Sequence, residues 1–209
     1  MAIIVVGGHS RSVGKTSVGA GLISDLREYD WTAVKITQYG HGVCSANGEP
    51  CDCATVDHAW AITEEKNSSG ESDTSRFLLA GARRSLWVRT EQGRLAEAMP
   101  ALRRRIESAR NVIIESNSVM KFIRPDLYLT VLDPSIEDFK KSAQEFLDRA
   151  NAVIFHDNAG NGAVWQRISL KPVAERPVFR IAPPPYVTPE IIEFVRGRIE
   201  SSSLLRTEN

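Results

Sequence analysis

The chain has 209 residues, 42% of them hydrophobic and 25% charged, and its formal net charge is +0. That is enough chain for one sizeable α/β domain with its own core. The charge balance gives no global field toward nucleic acid or an anionic membrane, and no apolar run approaches the roughly 20 residues that span a bilayer. Neither nucleic acid nor membrane is therefore expected as a partner. The sequence opens directly into an apolar run, without the basic start and cleavage site of a signal peptide, which points to the cytoplasm.

In chain order, residues 2–6 (AIIVV) read as a buried strand. Lys15 to Tyr29 reads as a helix, with Val18, Leu22 and Leu26 at helical spacing. Residues 31–36 (WTAVKI) form a second strand. Residues 37–72 hold His, Gly, Cys, Asn and Ser with little periodicity and read as a long loop or insert. Asp73 starts a helix that ends near Gly81, and residues 85–90 (SLWVRT) form a strand. Leu95 to Ala109 is helical, with Pro100 marking a kink or a fresh first turn. Its run Arg103-Arg104-Arg105 reads as a solvated face. Residues 111–115 (NVIIE) and 126–132 (DLYLTVL) are strands. Ser135, with Asp138 three residues on, resembles a capping box for a helix through Ala150. Strands at 152–156 and 177–181, a proline-rich loop and a helix over Pro189 to Ile199 complete the pattern. There is no internal repeat and no interdomain linker. The alternation implies one domain over residues 1–209, a three-layer α/β/α fold with a mostly parallel central sheet.

The segment GGHSRSVGKTS, Gly7 to Ser17, carries the most chemistry. It lies between a buried strand and a helix, as a phosphate-binding loop requires. Backbone N–H groups from Gly8 through His9, Ser10, Arg11, Ser12, Val13 and Gly14 to the helix start can surround phosphate oxygens. Lys15 can reach the outer phosphates, and Thr16, followed by Ser17, can ligate Mg²⁺. Glu115 ends a buried strand at the carboxyl edge of the sheet, where ligands bind in open α/β folds. It is a candidate for catalysis and for Mg²⁺; its structural alternative is a cap or ion pair. Asp73 and Arg76 share a helix face, with Asp73 a candidate for Mg²⁺ and catalysis and Arg76 for an anion; the alternative is a surface ion pair.

The loop has five residues between Gly8 and Gly14, one more than the common form. In this it resembles dethiobiotin synthetase and related P-loop enzymes. The segment GESDTSRFLLAGARRSLWV resembles one in MobB, the accessory protein of molybdopterin guanine dinucleotide synthesis. Lys35 matches a lysine in both families, and Glu115 matches their strand-end glutamate, although Ser116 stands where they carry glycine. The position of the extra lysine of MinD-type loops is Ser10. The resemblance implies a P-loop nucleoside triphosphate-binding protein with Mg²⁺, a GTP or ATP hydrolase accessory to molybdenum-cofactor or other metallocofactor maturation. It also implies a homodimer and a cofactor-synthesis enzyme as partner. A dethiobiotin-synthetase-like ligase, with Lys35 holding a carboxylate or carbamate, and a non-catalytic nucleotide- and metal-binding adaptor remain as alternatives.

All three cysteines, Cys44, Cys51 and Cys53, fall within ten residues, flanked by His41 and His58. Such a group suits Zn²⁺ or an iron–sulfur cluster, or is incidental to a loop. For the base, Asn158 is the candidate hydrogen-bonding residue. The loop around Pro184, from Ala182 to Tyr186, is the candidate wall. Trp60, Trp87 and Trp165 read as core or surface aromatics.

Overall fold

The computed structural model of the chain describes residues 1–39, 59–157, 165 and 168–207, with side chains described as far as residue 202. Its centre is β1 (Ala2–Gly8), almost wholly buried. β-Branched residues fill this run, and they suit a strand covered on both faces. Around it lie β2 (Trp31–Tyr39), β3 (Trp60–Glu64), β4 (Arg84–Glu91), β5 (Asn111–Glu115), β6 (Leu127–Leu132), β7 (Ala152–His156) and β8 (Val178–Ile181). They form one sheet in the order β3-β4-β2-β5-β1-β6-β7-β8. β3 runs antiparallel to β4, and every other pairing is parallel.

Helices cover both faces. Ile4, Val6, Ala33 and Ile113 face α1 (Lys15–Asp25), α2 (Asp73–Leu79) and α5 (Pro189–Thr207). Val5, Val34, Val112 and Ile114 face α3 (Leu95–Ile106), together with Phe146, Leu147 and Trp165. This is the expected three-layer architecture with a mostly parallel sheet. The period-two alternation has a consequence for the site. Residues 33 and 35 of β2 and 113 and 115 of β5 point to the same side, and Lys35 is the register partner of Glu115.

The elements depart from the sequence pattern at several places. β3 lies inside the stretch read as loop. It is a short edge strand whose pairing partner, β4, is distant in sequence, and Arg84 clamps its end by bonding both oxygens of Glu64 (3.2 and 2.9 Å). β2 extends to Tyr39 because it keeps pairing with β4. The helix from Lys15 stops at Asp25, and a 3₁₀ turn covers Arg27–Tyr29. The Trp31 indole donates to the Leu26 carbonyl (2.7 Å), which fixes that break. α3 runs unbroken through Pro100 and ends at Ile106. α5 continues to Thr207. The helix expected from Ser135 to Ala150 is largely absent. Only α4 (Lys141–Glu145) and a 3₁₀ turn at Leu147–Arg149 form. Ser135 turns back on Asp133, donating its amide (3.0 Å) and hydroxyl (2.6 Å) to that carboxylate, so it caps no helix.

The sheet's carboxyl edge is fixed by Asn117, just beyond β5. Its side chain accepts from the Gly8 amide (2.9 Å) and the Tyr128 hydroxyl (3.2 Å) and donates to the Gly8 carbonyl (2.8 Å). Gly7 is required beside it, since a Cβ there would fall 2.2 Å from the Asn117 oxygen. Asn117→Ala strands buried polar groups at the end of β1, and we expect it to cost roughly 2–4 kcal/mol. Denaturant unfolding checks this. A loss below about 1 kcal/mol would mean that the clip does not hold β1 in place.

Candidate functional site

The loop between β1 and α1 has two kinds of backbone group. The carbonyls of Gly8, His9, Ser10, Val13 and Gly14 and the side chains of His9 and Ser10 are bonded into the protein. Among the described residues, the N–H groups of Arg11 through Thr16 carry no protein acceptor. Gly14 has φ of +86° and serves as the N-cap of α1, a conformation that glycine adopts freely. The ring of Tyr186 packs so closely against it that a Cβ would fall 2.2 Å away. Ser12 holds a left-handed conformation without being glycine (φ 57°). Arg11 and Ser12 are exposed at the crown, and Val13 is fully buried.

Lys15 begins α1 and donates its ammonium to the Ser10 carbonyl, back across the loop. Burial is the main reason its proton affinity falls, to a pKa of about 8. Lys140 and Lys35 lower it further, while Glu115 and Asp73 partly offset them. Thr16 donates its hydroxyl to Glu115 (2.7 Å), which is only 4% exposed. Lys35 bridges that same glutamate to Asp73, at 2.8 Å from the aspartate. Burial works against the Lys35 charge, but the two carboxylates outweigh it and raise its pKa. Burial likewise disfavours the Asp73 charge, and Lys35, with Thr16 and Arg76, more than compensates, so its pKa is lowered.

Asp73 reaches this position because it opens α2. Ser72 and Ser75 exchange hydrogen bonds in a capping box at the helix start (3.1 and 2.8 Å). Arg76 donates to the Ser17 hydroxyl (2.9 Å) and stays near Asp73 (3.9 Å), tying α2 to the first turn of α1. The structure therefore brings together Lys15, Thr16, Ser17, Lys35, Asp73, Arg76 and Glu115. Pro184 is exposed, and its loop meets the site through Tyr186 instead. Trp165 is a core aromatic, as expected. Asn158 and the group Cys44, Cys51, Cys53, His41 and His58 lie outside the described residues.

His9 differs from its expected place among the ligand-binding residues. It is fully buried, with its side chain turned into the protein between Phe139 and Trp165 (ring centroids 5.2 and 4.7 Å). Its Nδ1 faces the Asp138 carbonyl (2.7 Å) and its Nε2 accepts from the Asp133 amide (3.0 Å). These partners select the neutral tautomer with the proton on Nδ1. Its backbone amide and carbonyl are also used, by Val131 and Lys140. A second buried histidine completes the support. His156 bonds the Val13 carbonyl through Nε2 (3.1 Å) and faces the Asp133 carboxylate through Nδ1 (3.3 Å). Asp133, Lys140 and His156 had not stood out in the sequence, and Asp138 had done so only as a capping-box partner of Ser135. Their signals were slight: Asp133 directly follows β6 and His156 ends β7, at the sheet edge where the loop lies.

The strand order and the covering helices define a three-layer α/β fold with an eight-stranded, mostly parallel sheet. No family model matches the chain, and neither does any curated protein. Among solved structures it is similar to HypB from Helicobacter pylori, crystallised in complex with nickel. The identity is 15% over 98% of this chain and 88% of that one, with a TM-score of 0.49. It is also similar to LpxK from Aquifex aeolicus in complex with ATP, at 16% identity and a TM-score of 0.46. That overlap covers 86% of this chain and 53% of the other. Among the described residues, no helix is long and apolar enough to cross a membrane.

The His9 environment sets a pH dependence. Burial lowers its pKa below the ordinary 6.5, against the opposing pull of the Asp138 carbonyl and the Asp133 carboxylate. The unfolded chain thus binds a proton at a pH where the folded one does not. Stability is full above about pH 6.5 and falls as pH drops from there toward the folded value. The slope contributed by this one proton is at most about 1.4 kcal/mol per pH unit. Urea unfolding between pH 7.5 and 5 should show a shallower acid loss in His9→Gln than in the wild type. Parallel curves would exclude His9 as a source of that loss.

Proposed function

We propose that this protein binds a nucleoside triphosphate with Mg²⁺ on the loop of residues 8–16 and hydrolyses it. The observation that supports this most is the run of unpaired N–H groups from Arg11 to Thr16, placed at a helix start beside Lys15. Such a run attracts anions, and a helix N-terminus adds its dipole. Lys15 needs only to leave the Ser10 carbonyl to reach a phosphate oxygen.

The residues present fit Mg²⁺. The donors at hand are oxygens, the Thr16 hydroxyl and the Glu115 carboxylate with Asp73 close by, and hard cations prefer oxygen. Among the described residues, no three acidic, histidine or cysteine side chains gather at one point. The phosphates would therefore share in holding the ion. When bound, it would neutralise phosphate charge. The protein's own part is to cradle the phosphates, hold Glu115 at the sheet edge and keep Asp73 in register through Lys35.

Lys35 also bears on the rival readings. Its ammonium is committed to two carboxylates, whereas a ligase would need it for a substrate carboxylate. That favours hydrolysis. The accessory role in metallocofactor maturation rests on the resemblance of Gly8, Gly14-Lys15-Thr16 and the segment around Asp73 to MobB.

Lys15→Ala should weaken triphosphate binding by roughly 1.5–3 kcal/mol in calorimetry. Because free Lys15 loses its proton near pH 8, wild-type affinity should fall as pH rises above that value. The fall should vanish in Lys15→Ala. Unchanged affinity in the variant would sink the nucleotide reading. Glu115→Gln keeps shape and removes charge, so nucleotide should still bind while Mg²⁺-dependent phosphate release drops. Normal turnover would return Glu115 to a structural role.

A further inference from the structure

The segment that follows β6 is wrapped along the loop in place of forming the expected helix. The Asp133 amide donates to His9 (3.0 Å), and the Asp138 carbonyl accepts from the same ring (2.7 Å). The Asp138 carboxylate accepts the Ser10 hydroxyl, and the Lys140 amide donates to the His9 carbonyl (2.7 Å). These bonds hold the Lys140 backbone against the loop at His9. Its side chain is half-buried.

The cations of the site have different partners. Lys35 has two carboxylates, Arg76 has Ser17 and Asp73, and Lys15 has the Ser10 carbonyl. Among the described residues the Lys140 ammonium makes no hydrogen bond or ion pair. It lies within electrostatic reach of Arg11, Lys15 and Lys35, with Asp138 and Glu115 as its acidic neighbours. Burial first, and Arg11 next, push its pKa down. A half-buried ammonium held among other cations is unfavourable unless an anion joins it.

We propose that Lys140 is a further phosphate-binding residue, contacting the terminal phosphate of a bound triphosphate and so favouring triphosphate over diphosphate. The proposal rests on the nucleotide reading of the loop. The unpaired loop amides lie at the helix start and suit the inner phosphates, with Lys15 reaching outward from there. Lys140 is tied to the loop through the His9 carbonyl and lies within electrostatic reach of Lys15, Lys35 and Glu115, so its charge bears on the same end of the loop.

The test compares the full-length wild type with Lys140→Met and Lys140→Arg. Binding of non-hydrolysable ATP and GTP analogues, and of ADP and GDP, is measured with Mg²⁺ by calorimetry. Methionine keeps the stem and the backbone bond to His9, so the fold is not at risk. Expected is a loss of about tenfold to a hundredfold in triphosphate affinity for Lys140→Met, with diphosphate affinity little changed. Arginine should restore most of it. Equal losses for both nucleotides would overturn the proposal in favour of support for the loop, and so would unchanged triphosphate affinity. If the wild type binds none of the four nucleotides, the reading of the loop itself fails, and this inference falls with it.

Discussion

A loop that keeps its N–H groups unpaired must be fixed by everything else it has. That constraint organises this structure. Amides without protein acceptors leave the loop few bonds of its own, so its shape rests on the bonds its other groups make. Here Asn117 takes both backbone groups of Gly8, and His9 is spent on Val131, Asp133, Asp138 and Lys140. His156 takes the Val13 carbonyl, and Tyr186 closes over Gly14. Groups from the ends of β5, β6 and β7, from the segment after β6 and from the approach of α5 all meet the same turn.

The extra residue between Gly8 and Gly14 makes physical sense in this setting. His9 occupies it as an inward-facing wedge between Phe139 and Trp165, with both ring nitrogens satisfied. A longer loop has more freedom to lose, and a buried side chain with four partners removes much of it. Asp133 serves both histidines, through its amide for His9 and its carboxylate for His156. One residue beyond β6 thus couples the start and the middle of the loop.

The chain of Thr16, Glu115, Lys35 and Asp73 solves a related problem. A glutamate only 4% exposed needs a compensating charge, and Lys35 is its neighbour in the parallel ladder. Asp73 then satisfies the rest of Lys35 from a different layer. Buried pairs of this kind add little net stability, but removing one partner leaves a stranded charge. The arrangement therefore defines positions more than it strengthens the fold.

Local pattern was enough for the architecture. Short β-branched runs alternating with amphipathic stretches give buried parallel strands and covering helices, and both periodicities are readable residue by residue. The strand–loop–helix of residues 2–25 and the strand-end position of Glu115 were legible for the same reason, since each is a property of contiguous sequence. β3 was hidden, because a five-residue edge strand exists through a partner more than twenty residues away. The helix expected from Ser135 failed because Asp133, Asp138 and Lys140 bond the loop after β1, over 120 residues earlier in the chain. Local propensity cannot express that competition. The sequence by itself singled out Lys15, Thr16, Lys35, Asp73, Arg76 and Glu115, because each sits at a strand end or helix start that local pattern reveals. Only the tertiary structure decided that His9 turns inward, that Lys35 is held by two carboxylates, and that Lys140 stands beside the loop. Those outcomes depend on which distant groups each buried polar atom finds.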